Sequence, residues 1–328
     1  MGRTRRTDKH LPKNVYLKSG SHYLVTRDYD TGKLVWTNLG REFTSAMARY
    51  GQLVEVAHCE TMGDLINRYT IEVSPTKAPS TYKAELRQAK PLRAAFGRMR
   101  PARVTPQDIY KYLDARGKTA PVAANREFAL LSNMFTKAIR WGAVNANPCA
   151  RIEKHKETPR TRYVTDAEFQ AFRDYAGELI GTYMNFKYLT GLRKGDILKL
   201  RLSDLKDDGI HAHISKTGKD LIIEWSDALD DAVNAVRALK RPITGLYLFC
   251  TRRGQPYTVN GFSSIWKRKM LNALEAGIIS ERFTEHDIRA KTGSDAKKEH
   301  ATELLAHSDA ATTERSYRRK VAVVTPLK

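Results

Sequence analysis

The sequence is poor in cysteine and contains no long apolar run. Its three cysteines, Cys59, Cys149 and Cys250, lie far apart in 328 residues and form no C-x-x-C pair. Neither a disulfide framework nor a zinc site is therefore indicated. No apolar stretch approaches the roughly 20 residues needed to cross a bilayer, and no signal peptide or basic amphipathic anchor opens the chain. These absences predict a soluble, cytoplasmic protein.

Two common catalytic motifs are also missing. The sequence contains no G-x-x-x-x-G-K-[ST] loop, which would cradle nucleotide phosphates, and no H-E-x-x-H helix, which would bind zinc. His211 and His213 could lie on one face of a strand, but no third ligand is evident near them. We therefore expect neither a metal nor an organic cofactor.

Positive charge is abundant. The chain has 57 Lys and Arg against 36 Asp and Glu, which gives a net charge of +21 and a pI near 9.9. Such a balance favours a polyanionic partner, either nucleic acid or an anionic membrane. Because no membrane-binding segment is evident, double-stranded DNA is the leading candidate. Residues 61–155 are the most basic segment for their length, with a net charge of +10.

Residues 1–60 are predicted to form a small sheet with one helix. A basic tail, "MGRTRRTDKH", precedes three β-rich runs, "NVYLK", "HYLVTRDY" and "GKLVWT", which are separated by "SGS" and "DTG" turns. The following "TSAMARYGQLVE" has the pattern of a helix, for which we expect Thr44 or Ser45 to be the N-cap.

Residues 61–155 are predicted to form a helical domain, with a four-helix bundle over about 61–150. Helix starts are indicated at Thr61, which is followed by Asp64, and at Thr105, which is followed by Pro106. The apolar pattern of "AANREFALLSNMFTKAIRWG" ends at Gly142, a favourable C-terminal stop. The polar stretch "ARIEKHKETPRTRYV" then has no helical period and predicts a linker.

Residues 156–328 are predicted to form a mixed, mainly α-helical domain. A capping box joins Thr165 to Glu168, and "SDALDDAVNAVRALK" has the pattern of a later helix. Between them, "HAHISKTGKDLIIEW" predicts a β-hairpin that turns at "KTGKD".

Four short constellations in this last segment could carry chemistry. They are "TGLRKGD", the lysine of the hairpin turn, "HDIR", and "LLAHSDAATTERSYRRK". Each alone has an ordinary explanation as a helix-surface ion pair, a solvated charge, a capping or packing pair, or a core tyrosine. Their reactive side chains are Arg193, Asp196, Lys216, His286, Arg289, His307 and Tyr317.

In this order the four constellations resemble the signature of the tyrosine recombinases, the family of phage integrases and related site-specific DNA recombinases. The resemblance covers essentially the whole chain, because residues 1–60 are similar to the arm-binding domain of lambda-type integrases. Residues 61–155 are similar to their helical, SAM-like core-binding domain. The chain departs from the family pattern in "LLAH" for the commoner "LLGH", in Asp196 where glutamate is frequent, and in a gap of ten between His307 and Tyr317.

The resemblance implies a role for each residue. Tyr317 is implied as the nucleophile that forms a 3′-phosphotyrosyl bond, and Lys216 as the general acid for the 5′-hydroxyl leaving group. Arg193 and Arg289 would hold the non-bridging phosphate oxygens, because guanidinium groups make bidentate, permanently charged contacts. His286 and His307 would add hydrogen bonds, one of them as acceptor of the tyrosine proton. Asp196 is interpreted as an orienting residue. Fixed cations would do the work that Mg²⁺ does in carboxylate nucleases.

DNA is the implied partner at two kinds of attachment site. The helical domain and the catalytic domain would close on core-type DNA across a linker near residues 155–163, and the basic arm and its sheet would bind arm-type DNA. The candidate core-site contacts are Lys90, Arg93, Arg98, Arg100 and Arg103, and the candidate arm contacts are Arg3, Arg5 and Arg6. The family further implies a tetramer on DNA, a host DNA-bending protein, an excision factor, and a role for the β-like tail from Val321 to Thr325.

The predicted function is that of a phage or prophage integrase that exchanges strands through a Holliday junction on the nucleoid. Two alternatives stay open: a type IB topoisomerase-like nicking and closing enzyme, and a catalytically inert DNA-binding regulator. The complete reactive set disfavours an inert binder, and the arm-like first domain disfavours a topoisomerase. Whether Tyr317 cuts in cis or in trans is not decided by these residues.

Overall fold

The computed structural model describes residues 11–12, 14–27, 33–55, 59–243, 245–307 and 309–320, with the backbone alone at 51–55. The chain divides into two compact units, residues 1–157 and 158–328. The division lies close to the boundary predicted at 155, while the further boundary at 60 stays a prediction. The predictions for Arg3, Arg5 and Arg6, for the "DTG" turn and for the tail from Val321 lie outside the described residues. No helix in the described ranges is both long and apolar enough to cross a bilayer.

The first unit begins with the predicted antiparallel sheet. Strands β1 (Val15–Lys18), β2 (Ser21–Arg27) and β3 (Leu34–Gly40) pair in chain order, and helix α1 (Phe43–Glu55) follows. Gly20, at φ +72°, allows the tight turn between β1 and β2. One face of the sheet packs against α1 through Val15, Leu39 and Ala46, which form a small core.

The predicted cap of α1 was wrong. The helix starts at Phe43, before both Thr44 and Ser45, and the preceding Glu42 supplies the capping carboxylate. Glu42 accepts hydrogen bonds from the backbone nitrogens of Thr44 at 2.8 Å and Ser45 at 2.6 Å. Glu42 thereby pairs two backbone N–H groups of the first turn that would otherwise lack a partner. Its side chain is longer than those of the residues that usually cap a helix, such as Ser, Thr, Asp and Asn.

The rest of the first unit contains the four predicted helices. They are α2 (Met62–Arg68), α3 (Pro79–Phe96), α4 (Pro106–Gly117) and α5 (Pro121–Arg140). The capping boxes at Thr61 and Thr105 are both present. Gly142 adopts φ +69° just beyond α5, as expected of a helix stop. Buried side chains such as Leu65, Leu131 and Phe135 form one core among these helices.

The predicted linker has no helix or strand, yet its ends are anchored. In the first unit, the Asn125 side-chain amide donates to His155 O at 2.8 Å and accepts from His155 N at 3.0 Å. The His155 ring lies so close to Gly117 that a Cβ there would meet Nε2 at 2.2 Å. In the second unit, Arg160 pairs with Asp287 at 3.3 Å. Thr158 and Pro159 lie between these anchored stretches.

The second unit has the predicted mainly α-helical architecture with a small sheet. Its helices are α6 (Asp166–Ala176), α7 (Glu178–Thr190), α8 (Lys194–Ile197), α9 (Asp227–Arg237), α10 (Val259–Glu275), α11 (Glu285–Asp295), α12 (Lys298–Leu304) and α13 (Ala310–Tyr317). Strands β4 (Leu205–Lys206), β5 (Gly209–Ile214) and β6 (Lys219–Ile223) form an antiparallel sheet in chain order.

Helix α11 runs through the centre of this second unit. Every residue from Asp287 to Ser294 on α11 is buried, whereas a surface helix buries one stripe. The main apolar core, which includes Phe172, Tyr183, Phe262 and Trp266, lies around Ile288 of this helix. Polar side chains on α11 must therefore find protein partners or line a site.

Candidate active site

The "TGLR" segment forms a tight turn that places Arg193. Gly191 adopts the left-handed conformation at φ +60° and ends α7, and Arg193 becomes the N-cap residue of the short helix α8. The Thr190 hydroxyl donates to Phe186 O at 2.8 Å and closes the last turn of α7. The Arg193 Nη1 atom is buried and has no hydrogen-bond partner in the described chain.

Arg289 lies at the centre of the site and is only 1% exposed. Its guanidinium donates to the backbone carbonyls of Gly191 and Leu305, so that it joins the "TGLR" turn to the end of α12. Burial, followed by the charge of Arg193, lowers the pKa of Arg289 to about 10. The group stays a cation at neutral pH, and its buried Nε atom lacks a hydrogen-bond partner among the described residues.

His307 is held by two partners that fix its tautomer. Its Nε2 lies 3.1 Å from an Arg289 nitrogen, and its Nδ1 lies 2.7 Å from the Thr313 hydroxyl. Because an arginine can only donate, Nε2 is the acceptor and Nδ1 carries the proton. Burial and the charges of Arg289, Arg193 and Lys216 lower the pKa of His307 to about 4. His307 is therefore neutral at physiological pH.

Tyr317 is the last residue of α13 and is 8% exposed. Its hydroxyl oxygen lies 3.3 Å from His286 Nε2, and its ring centroid lies 4.6 Å from that of His307. The Arg289 guanidinium carbon lies 5.4 Å from the centre of the same ring. The ten-residue gap after His307 thus brings the tyrosine against both histidines and an arginine.

His286 lies at the exposed start of α11 and is neutral. Desolvation of the imidazole by the surrounding protein, together with the charge of the Lys187 ammonium, lowers the pKa of His286 to about 4. A neutral imidazole has one acceptor nitrogen. His286 Nε2 can be that acceptor, because within the described residues its one hydrogen-bond contact is with the Tyr317 hydroxyl.

Lys216 lies in the turn between β5 and β6, and its side chain is exposed. The hairpin is joined to the "TGLR" region by Asp196, whose carboxylate accepts from the Ser215 backbone nitrogen at 3.1 Å. Asp196 is 5% exposed, and its charge also acts on Arg289. Asp196 therefore contacts the backbone of the lysine hairpin, and its orienting role stays a prediction.

Sequence reasoning missed a buried charge cluster behind the site. The Lys187 ammonium lies 2.9 Å from Glu285 Oε2, and Lys194 lies 3.2 Å from Glu285 Oε1. Thr313, which holds His307, was also missed. A lysine within the apolar run "LIGTYMNFKYL" was a usable signal for the cluster, because an unpaired buried charge is too costly to keep. No local pattern identified Thr313.

All five predicted core-DNA contacts in the first unit are exposed: Lys90, Arg93, Arg98, Arg100 and Arg103. Arg93 has protein partners of its own, since it donates to Asn67 Oδ1 at 2.6 Å and to Gly63 O at 3.3 Å. Their contacts with DNA stay predictions. His211 and His213 each pair with one aspartate, Asp208 and Asp220, at 2.8 Å. In the described ranges no three His, Cys, Asp or Glu residues gather as metal ligands would.

The fold is that of the lambda-type integrases. The chain aligns with one subunit of a crystal structure of a lambda integrase dimer bound to a COC′ core site, with a TM-score of 0.71 and 20% identity, over 99% of this chain and 100% of the other. It also aligns with a lambda integrase tetramer bound to a Holliday junction, with a TM-score of 0.68 and 20% identity over 92% of this chain and 97% of that one.

Sequence comparison identifies the family. The model described as "Phage integrase family" matches residues 162–322, which contain all seven site residues. The integrase of Escherichia phage HK022 is 27% identical over 254 residues, covering 70% of each chain. Residues 162–322 belong to the phage integrase family, and the chain is a tyrosine-type site-specific DNA recombinase.

Proposed function

We propose that the chain breaks and rejoins DNA strands with Tyr317 as nucleophile. The observation that carries this proposal is the position of the Tyr317 hydroxyl, 3.3 Å from a neutral His286 nitrogen and beside the buried Arg289. A phenol that has a proton acceptor on one side and a cation on the other can give up its proton as its oxygen attacks phosphorus.

The scissile phosphate is bound by Arg193 and Arg289. Both guanidiniums retain buried nitrogens that lack a hydrogen-bond partner in the described chain. Because a buried donor without a partner is costly, such atoms favour an anionic ligand with acceptor oxygens. Neutral His307 orients the Arg289 guanidinium without adding a charge, since its Nε2 accepts a hydrogen bond from Arg289.

The proposed cleavage step transfers one proton from the tyrosine and one to the leaving group. The Tyr317 oxygen attacks phosphorus, the bond from phosphorus to the 5′ oxygen breaks, and a 3′-phosphotyrosyl ester remains. His286 Nε2 receives the phenol proton, and Lys216 donates a proton to the departing 5′ oxygen. The negative phosphate raises the low pKa of His286 when DNA binds, which strengthens it as a base. Attack by the 5′ hydroxyl of the partner strand reverses these transfers.

The proposed biological reaction is integration of a phage or prophage into a bacterial chromosome, with a tetramer exchanging strands through a Holliday junction. The lambda integrase structures with a core site and with a Holliday junction support this proposal by fold. Core-type DNA would contact Lys90, Arg98 and Arg103, and arm-type DNA the N-terminal sheet with its basic arm. A host DNA-bending protein and an excision factor would assist and direct the reaction.

The test uses covalent capture of DNA. The wild-type protein and Tyr317→Phe are expressed in a cell that carries the candidate chromosomal site, and the protein-linked DNA ends are sequenced after denaturation. Wild type is expected to give adducts focused on one or two loci, and Tyr317→Phe none. Equal background in both would contradict the proposal and favour the inert regulator. Focused adducts with altered linking number but no recombinant products would favour the nicking and closing enzyme.

A further inference from the structure

Helix α11 contacts the Tyr317 backbone through two small residues near its end. A Cβ added to Gly293 would lie 3.1 Å from Tyr317 Cβ and 2.8 Å from Leu305 Cδ1. Contacts this short are rarely tolerated, so glycine is what lets the end of α13 approach α11 so closely. The next residue, Ser294, is 7% exposed.

The Ser294 hydroxyl bridges the backbone on both sides of the tyrosine. It donates to Tyr317 O at 2.8 Å and accepts from Arg319 N at 2.7 Å. The chain that leaves α13 is thereby fixed at its carbonyl and at the amide two residues later. One serine satisfies two backbone groups that the end of a helix would otherwise leave unpaired.

Arg319 completes this contact with a buried ion pair. Its guanidinium donates to Asp287 Oδ1 at 2.6 Å and to Arg162 O at 3.1 Å. The two side chains are 7% and 3% exposed. Burial opposes the charge on Asp287, but hydrogen bonds from Thr284 and the charge of Arg319 hold the pKa of Asp287 below its ordinary value.

We propose that Gly293, Ser294 and the Asp287–Arg319 pair form a tyrosine seat, whose function is to position the Tyr317 hydroxyl for attack. This inference rests on the proposed nucleophile. Asp287 follows His286 directly, and Arg289 lies on the same helix, so α11 carries two of the proposed activating groups together with Asp287, Gly293 and Ser294 of the seat. A rigid helix then sets the distance from Tyr317 to its proton acceptor.

The seat gives Arg319 a role distinct from that of a DNA contact. Arginines beside a nucleophile in a basic protein are ordinarily expected to bind phosphate. Here one Arg319 nitrogen, Nη1, contacts both Asp287 and Arg162 O, and the side chain is almost fully covered. Neighbouring Arg318 differs, because its side chain is 31% exposed and its Nη1 contact is Ala296 O at 3.2 Å.

The test separates DNA binding from cleavage. Arg319→Gln and Ser294→Ala are compared with Arg318→Gln, a control of equal charge loss, on a core-site duplex that traps the covalent complex. Both seat variants are expected to bind DNA like wild type but to cleave about 10- to 100-fold more slowly at saturating protein, since small misplacements of reacting groups have effects of this size. The control variant is expected to cleave at the wild-type rate once the DNA is saturated.

Two further variants check that the effect is positional. Arg319→Lys, which keeps a cation for Asp287, is expected to recover much of the cleavage rate. The double variant Asp287→Asn, Arg319→Gln is expected to cleave no more slowly than the slower of its two single variants. Seat variants that cleave at the wild-type rate, or that lose DNA affinity in proportion to rate, would overturn the seat. If Arg319→Gln does not fold, Ser294→Ala alone decides. Adducts formed by Tyr317→Phe would instead overturn the proposed nucleophile.

Discussion

The Lys187 ammonium, which is fully buried, lies 2.9 Å from the Glu285 carboxylate and also donates to Leu192 O at 2.9 Å. Lys187 is on the last turn of α7, before the turn that carries Arg193, and Glu285 immediately precedes His286. Burial lowers the pKa of Lys187, whereas Lys187 and Lys194 hold the pKa of the Glu285 carboxyl below its ordinary value. The pair joins the two segments that supply the site.

Lys187→Met should lower the free energy of unfolding by about 3 kcal/mol, because removing one partner of a buried ion pair leaves the other charge buried. Lys194 still lies near Glu285, which limits the loss. Chemical denaturation measures the effect. Adding Glu285→Gln to Lys187→Met should recover part of the stability, since no unpaired carboxylate then remains. A single variant as stable as wild type would contradict this role for the pair.

Lys216→Ala should cleave ordinary DNA at least ~100-fold more slowly, because general acid catalysis contributes about 10²- to 10⁴-fold. A substrate with sulphur in place of the scissile 5′ oxygen provides the control. A thiolate leaves without protonation, so this substrate should restore Lys216→Ala to nearly the wild-type rate. It should not restore Tyr317→Phe. A Lys216→Ala defect that is equal on both substrates would mean that the lysine does not protonate the leaving group.

Stability should fall as the pH decreases from about 6.5 to 4. His286 and His307 have pKa values of about 4 in the folded chain, against an ordinary 6.5. Between these values the unfolded chain binds more protons than the folded one, so protonation favours unfolding. Thermal unfolding midpoints from about pH 7 to pH 5 should show the loss. The double variant His286→Gln, His307→Gln should have a shallower pH dependence, and an unchanged slope would exclude these histidines as its source.

Gly191→Ala should destabilise the chain more than Gly277→Ala. Both glycines have similar left-handed φ angles, +60° and +67°, and an alanine there costs about 1–2 kcal/mol. At Gly277 a Cβ meets nothing within 4 Å, whereas at Gly191 it would lie 3.0 Å from Leu305 and 3.3 Å from Thr292. Gly191 O also accepts a hydrogen bond from Arg289, so the cleavage rate of Gly191→Ala should fall as well. Equal unfolding free energies and equal rates for the two variants would contradict this.

Limited trypsin digestion should cut the chain first between Lys156 and Arg162 and release two stable fragments. The backbone there has no regular structure, and Lys156 and Arg160 are exposed. Asn125→Ala, which removes both hydrogen bonds to the His155 backbone, should accelerate the cut without changing its position. First cuts inside α5 or α6 would contradict the division of the chain near residue 157.

Local patterns in the sequence were sufficient for most elements, while the roles of the seven candidate site residues stay predictions. The capping boxes at Thr61, Thr105 and Thr165, the stop at Gly142 and the Lys216 hairpin depend on neighbours within a few residues, so they can be recognised without a fold. The prediction of the α1 cap was wrong because the Glu42 side chain accepts from the backbone N–H groups of the first turn, which shorter side chains usually pair with.

The sequence by itself determined the chemistry available to this protein: a tyrosine, two arginines, two histidines and a lysine in a recognisable order, on a strongly basic chain. Only the tertiary structure decided how those groups act on one another. The neutral state of both histidines, the tautomer of His307 and the burial of Arg289 arise from contacts between residues distant in the chain. The tyrosine seat arises in the same way, since Ser294 and Asp287 reach Tyr317 and Arg319 only when α11 and α13 pack together. Electrostatics and hydrogen bonds depend on distance in space, which spacing along the chain does not specify.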